Sequence, residues 1–303
     1  MKYLKKYILT ALLLGITFSC TDILDEARPG APTENQFMDS EEKFEFLIAG
    51  VYQKLIFFHS FNGGNYNHGF WMLPDDNLTI AAGGNALGYD NFSALNSNTY
   101  ALSRYYDYAY QLINRANTLL EFQKDDQYGN LYEDMELKDH HRGEALFLRG
   151  YMYLKLWMYF GTPPLNLERI VTFDATNIPN SSGNEALDQA ISDLQEASML
   201  LKDSPHRGGG VWNESAYGML GKALMVRGSF TGNNADYTAA LAAFNQITSR
   251  KLGDDYTENF LEIGENNDES LFEVQVGRNS SINNRFLNND RFAVVGDLGS
   301  TWI

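Results

Sequence analysis

Residues 139–165, DHHRGEALFLRGYMYLKLWMYFGTPPL, decide how the rest of the chain is read. At helical spacing Ala145, Leu148, Met152, Leu156 and Tyr159 fall on one stripe, and Leu146, Tyr153, Trp157 and Phe160 widen it. An apolar face that broad belongs to a helix buried on most sides. The polar residues left over, Arg142, Glu144, Arg149 and Lys155, are few and long, able to reach water or partners while their stems stay covered. Gly161 stands where a glycine ends a helix, and Pro163-Pro164 forbids continuation. The stretch predicts a central, packed helix with a sharp exit.

The same residues form a long pattern, R-x-E-A-x-F-L-R-x-Y-x-Y-x-x-L-x-x-x-F-G-x-x-P-L. It is carried by Arg142, Glu144, Ala145, Phe147, Leu148, Arg149, Tyr151, Tyr153, Leu156, Phe160, Gly161, Pro164 and Leu165. This closely resembles the central helix of SusD/RagB-like outer-membrane nutrient-binding lipoproteins. Further matches follow in chain order. Cys20, Asp22, Leu24, Asp25, Thr33 and Phe37 fit the family's start, and Tyr110, Ile113, Ala116 and Asn117 fit its next helix. Asp193, Leu194 and Ala197 fit a later one, and ESLFEVQV at 269–276 fits a closing β-like segment. The resemblance implies a mainly α fold, a SusD-like α-α superhelix of tetratricopeptide-like helical hairpins with long irregular loops and minor β. Family members continue further, so the chain is expected to be an N-terminal part, incomplete at its C-terminus.

Periodicity places helices at about 40–58, 99–123, 139–160, 184–202, 213–229 and 235–250. Ser40 is expected to cap the first, with Glu41 and Glu42 in its opening turn. Pairing 99–123 with 139–160 and 184–202 with 213–229 gives helical hairpins and leaves 235–250 unpaired. In that last helix Ala240 and Phe244 make an A-x-x-x-F signature, a small residue admitting a neighbouring helix.

Composition bounds the function. With 44% apolar and 14% aromatic residues there is ample core material, and a folded chain is expected. The formal charge of −16 repels phosphate backbones and anionic lipid, so no nucleic-acid partner is expected. Neutral sugars are indifferent to it. The single cysteine, Cys20, permits no intrachain disulfide and no cysteine metal site. His140-His141 is read as an exposed helix start and not as a metal ligand pair.

Residues 1–19 read as a lipoprotein signal peptide. Lys2, Lys5 and Lys6 form its positive end, and Tyr7 to Phe18 an apolar run too short to span a bilayer. Ser19-Cys20 closes it with a small residue before the cysteine, so Cys20 is the expected lipidation site and membrane anchor. Residues 20–40 follow as an extended, lipidated tether, and 41–303 as the SusD-like domain. Asp22, Asp25 and Glu26 resemble the family's surface-export signal. The expected location is the outer membrane, lipid-anchored at the cell surface.

Residues 59–98 break the helical rhythm with abundant Gly and Asn and scattered aromatic residues. A structureless stretch that long inside a domain points to function. Sugar recognition needs aromatic faces beside amide, carboxylate and guanidinium groups. Candidates here are Tyr66, Trp71, Asp75, Asp76, Asn77, Tyr89, Asn91 and Phe92. In 278–303 they are Arg278, Asn283, Arg285, Asn288 and Trp302. The resemblance implies an aromatic ligand arc in these two zones without fixing positions. For Trp71, pinning the loop to the helices is an equal reading. Asp75-Asp76-Asn77 lacks the spacing of a calcium loop and reads as a cap. The tyrosines at 105, 106, 108, 110, 151, 153 and 159 read as packing, and Arg142 and Glu144 as structural.

No nucleophile elbow, P-loop or dinucleotide fingerprint is present, so no enzyme and no cofactor are expected. The resemblance implies an oligosaccharide-binding surface lipoprotein that delivers its ligand to a SusC-like TonB-dependent transporter. A scaffold lipoprotein in envelope assembly and a peptide-nutrient binder are the alternatives.

Overall fold

A computed structural model describes residues 32–60, 92–93, 96, 100–261 and 264–273. The chain divides into two compact units, one up to Asp39 and one from Ser40 onward. The described end of the first carries α1 (Glu34–Phe37), one turn where an extended tether is expected. The Thr33 hydroxyl accepts from the Gln36 amide at 3.3 Å, and the Gln36 side chain accepts from the Thr33 amide at 2.9 Å. This capping box satisfies two otherwise orphaned donors.

The second unit holds α2 (Glu42–Ser60), α3 (Tyr100–Lys124), α4 (Asp126–Gly129), α5 (Met135–Phe160), α6 (Glu185–Leu200), α7 (Asn213–Thr231) and α8 (Asn234–Phe244). Neighbours in sequence pack together: α2 on α3, α3 on α5, α5 on α6, α6 on α7, α7 on α8. This is the mainly α array of helical hairpins that the sequence predicts. The last helix differs from expectation, because α8 stops at Phe244 and lies against α7 instead of standing unpaired. The reason is a close approach. A Cβ on Gly221 of α7 would lie 2.6 Å from Cζ of Phe244, so only glycine lets that ring dock.

The central helix is as buried as its stripe requires. Ala145, Leu148, Met152 and Leu156 have no exposed surface, while Tyr159 in the last turn remains 37% exposed. Two small residues on one face, Gly143 and Gly150, bring α6 unusually near. At Gly150 a Cβ would meet the Ala190 carbonyl oxygen at 3.0 Å and Leu194 Cγ at 3.1 Å. Gly161 closes α5 with φ +73°, and its N–H donates to the Trp157 carbonyl at 2.9 Å.

Beyond that exit the chain runs back across α3 and α5 as a strap, held by polar side chains of those two helices. Tyr110 donates to the Pro164 carbonyl at 2.6 Å, and Asn117 donates to the carbonyls of Asn166 and Glu168 at 3.1 and 2.9 Å. Tyr153 accepts from the Asn166 amide at 2.8 Å, and Asn114 both accepts from and donates to the Ile170 backbone. These polar positions answer an irregular segment whose backbone lacks helix partners.

Two expectations are corrected. α5 begins at Met135, capped by Asp134, whose carboxylate accepts from Glu136 and Leu137 amides at 2.9 and 3.2 Å. His140 and His141 therefore fall in its second turn and are fully buried, not exposed at a helix start. At 269–276, residues 269–273 form no strand and 274–276 lie outside the described residues. Among the described residues the one β pairing is an isolated bridge between Pro164 and Asn180.

Candidate functional site

The helices that flank the Asn/Gly/aromatic stretch in sequence, α2 and α3, form a pair. Arg115 donates to the Gly50 carbonyl at 2.6 Å, Lys54 to Gln111 at 2.5 Å, and Phe58 packs on Tyr105 at 4.3 Å. Partners thus descend along α3 as they ascend along α2, so the helices are antiparallel. The end where Phe58 packs on Tyr105 is rich in rings. Phe58 meets His59 edge-on at 5.0 Å, Tyr105 meets Tyr159 at 5.4 Å, and Phe57 meets Tyr108 at 5.8 Å. Tyr151 hydrogen-bonds the His59 ring at 3.2 Å. Burial pushes His59 down to about 3, so it is neutral there. Tyr105, Tyr151 and Tyr153 are buried, which assigns these rings to packing as the sequence analysis has it. They make a closely packed end to the helix pair.

Of the predicted ligand residues, Phe92 alone is among the described ones. It is 71% exposed, with φ +54°, a left-handed conformation uncommon for a bulky residue. Tyr66, Trp71, Asp75, Asp76, Asn77, Tyr89 and Asn91 lie outside the described residues, as do Cys20, Arg278, Asn283, Arg285, Asn288 and Trp302.

The described helical scaffold carries clefts as well. One, of about 640 Å³, runs along α7 between Trp157, Lys222, Met225, Phe230, Phe244 and Leu271 and is apolar. Another, of about 460 Å³, opens between α3, α5 and α6. Its charges answer one another: Arg149 grips Asp193 through two bonds of 2.7 and 2.8 Å, and Arg142 reaches Glu196 at 2.7 Å. Groups so engaged are structural, as expected for Arg142.

A third grouping escaped the sequence analysis. Glu45 of α2, His141 of α5 and His206 of the α6–α7 turn converge, with one ligand atom from each within 4.8 Å of the others. Arg207 bridges Glu45 and the buried Glu144 at 2.9 and 3.0 Å. Glu144 also accepts from Tyr52 at 2.8 Å, and burial raises its carboxyl to about 7. These residues lie 96 and 161 positions from Glu45, so spacing carries no trace of the cluster. The only local sign is the His140-His141 pair.

Comparison with known proteins agrees with this architecture. A family model described as starch-binding, associating with outer membrane, matches residues 22–225, more than half of the chain. The chain belongs to the SusD-like family. A SusD-like protein, P38, of Formosa agariphila is 27% identical over 219 residues, covering 66% of this chain and 39% of that protein. A solved SusD superfamily protein from Bacteroides vulgatus is 23% identical with a TM-score of 0.65, covering 78% of this chain and 50% of its own. A laminarin-binding SusD-like protein is 25% identical with a TM-score of 0.64, covering 77% and 51%. The SusD-like chain described here thus spans about half the length of its solved relatives and less of P38. No described helix is long and apolar enough to cross a membrane.

Proposed function

We propose that this SusD-like chain captures oligosaccharide at the outer membrane and hands it to a SusC-like TonB-dependent transporter, without catalysing a reaction. Membership of a family described as starch-binding and outer-membrane-associated supports carbohydrate as the ligand. The observation that carries the reading is the antiparallel α2–α3 pair with its ring-rich end, the two helices that flank the Asn/Gly/aromatic segment in sequence. Aromatic residues of that segment, Trp71, Tyr89 and Phe92, would lie against sugar faces. Asp76, Asn77, Asn91 and, from the later zone, Arg285 would read hydroxyls beside Trp302. Cys20 would carry the lipid that keeps the protein at the cell surface. Such binding needs no cofactor.

The test is a pull-down of the lipidated protein from its native outer membrane, followed by calorimetry with polysaccharides. A large TonB-dependent barrel should co-purify, and Trp71→Ala should weaken glycan binding about tenfold or more, as loss of one stacking ring does. Recovery of envelope-assembly factors alone, with no glycan bound, would sink the importer reading and favour a scaffold.

A further inference from the structure

The Glu45–His141–His206 cluster has no part in sugar capture as argued above, and its residues come from three separate places in the chain. His141 Nε2 and His206 Nε2 approach the same oxygen, Glu45 Oε1, at 2.9 and 2.8 Å. We propose that Glu45, His141 and His206 form a binding site for one divalent transition-metal ion of the zinc type. Two imidazoles and one carboxylate are a recurrent three-residue zinc set, leaving a fourth position for water. Ligands at about 2.1 Å in tetrahedral geometry stand about 3.4 Å apart. Each ring nitrogen would retreat about half an ångström from Oε1, and the two nitrogens, which lie within 4.8 Å of each other, would settle at the same spacing.

The surroundings fit a metal better than a plain hydrogen-bonded contact. His141 is buried and its far nitrogen, Nδ1, lies 2.9 Å from the Tyr132 hydroxyl, which itself accepts from Gln123 at 2.9 Å. An outer partner of this kind fixes the ring and selects which nitrogen is free to ligate. A hydroxyl serves either way, donating to Nδ1 in the metal-free protein and accepting from it when Nε2 binds an ion. Arg207 occupies the other oxygen of Glu45, Oε2, at 2.9 Å and leaves Oε1 turned to the histidines. Its charge opposes a cation and weakens the site. His206 and Glu45 are 37% and 33% exposed at their side chains, so an ion can enter from solvent. Just behind, the His140 ring lies 5.6 Å from His206, with a buried Nε2 that has no hydrogen-bond partner among the described residues.

Bound to α2, α5 and the α6–α7 turn together, an ion would clamp the start of the scaffold to its middle. The full chain, stripped with chelator and dialysed, should take up one equivalent of Co²⁺ with visible d–d absorption, and Zn²⁺ should displace it. Its melting temperature should rise with Zn²⁺ and not with Mg²⁺. His206→Gln keeps an N–H donor for Glu45 while removing the ligand, so it should fold normally and bind zinc at least tenfold more weakly. His206→Ala should do the same. Absence of stoichiometric Co²⁺ uptake, or unchanged zinc affinity in both variants, would overturn the assignment. Glycan binding plays no part in either readout, so the importer reading can fail independently.

Discussion

Where α5 crosses α6, both partners of a charge pair are buried; where α7 meets α8, the carboxylate Asp236 is buried but its guanidinium partner reaches water and apolar surface stays open. Arg149 is 7% exposed, bonded twice to Asp193 and once to Asn117 at 2.8 Å, and Gln189 completes the Asp193 shell at 2.7 Å. At the other junction Arg227 also takes its partner through two bonds, Asp236 at 2.6 and 3.0 Å, yet its side chain is 26% exposed. Around it Phe230 and Leu241 are 71% and 61% exposed. The same guanidinium–carboxylate chemistry thus has different consequences in the two places. At the centre the pair sits in low dielectric and fixes which groups of three helices meet; at the edge water screens it and ring-to-glycine packing decides the contact.

Three substitutions would break or sharpen that contrast. The largest effect is expected at the centre. Arg149→Met strands Asp193 and the Asn117 oxygen without their cation, and should cost about 3–5 kcal/mol in urea unfolding. An intermediate effect is expected at the edge. Gly221→Val forces a side chain into Phe244 and should cost about 1–3 kcal/mol, the usual penalty of overpacking, while α5 and α6 keep their protection in hydrogen exchange. A loss at Gly221 equal to that at Arg149 would erase the distinction.

The smallest effect lies at the seam. Lys155 of α5 is 9% exposed and titrates at about 8, because burial and then the nearby Lys222 of α7 disfavour its charge. Its unfolded value is higher, so between about pH 8 and 10.5 the unfolded chain holds a proton the folded chain has lost, and stability climbs with pH. Below that window the full cost is present. Lys155→Met should therefore stabilise by about 1–2 kcal/mol at pH 7, with the gain shrinking toward pH 10.5, as thermal melts across pH would show. A gain independent of pH would mean that packing, not charge, is responsible.

Much of the scaffold is legible in the sequence because helical burial repeats every three to four residues. Phe44, Ile48, Val51 and Leu55 of α2, and Ala109, Ile113 and Ala116 of α3, lie where their spacing puts them, without exposed surface. Glu41 teaches the opposite lesson. Placed by sequence in the first turn of its own helix, it accepts instead from the amides of Glu133 and Asp134 at 2.7 and 2.8 Å, at the approach to α5. A carboxylate near a helix start is visible in sequence; which backbone donors it answers is not.

Six of the helices, the sharp exit at Gly161 and the family were legible from the amino-acid order alone, because periodicity, glycine and proline are local and the long pattern is contiguous. Composition also singled out the ligand-loop candidates, of which Phe92 stands described and exposed. The folded arrangement was needed to see that His140 and His141 are buried, that α8 docks on α7, and that Glu45, His141 and His206 meet. Those outcomes rest on contacts between residues far apart in the chain, and no local spacing encodes such a distance.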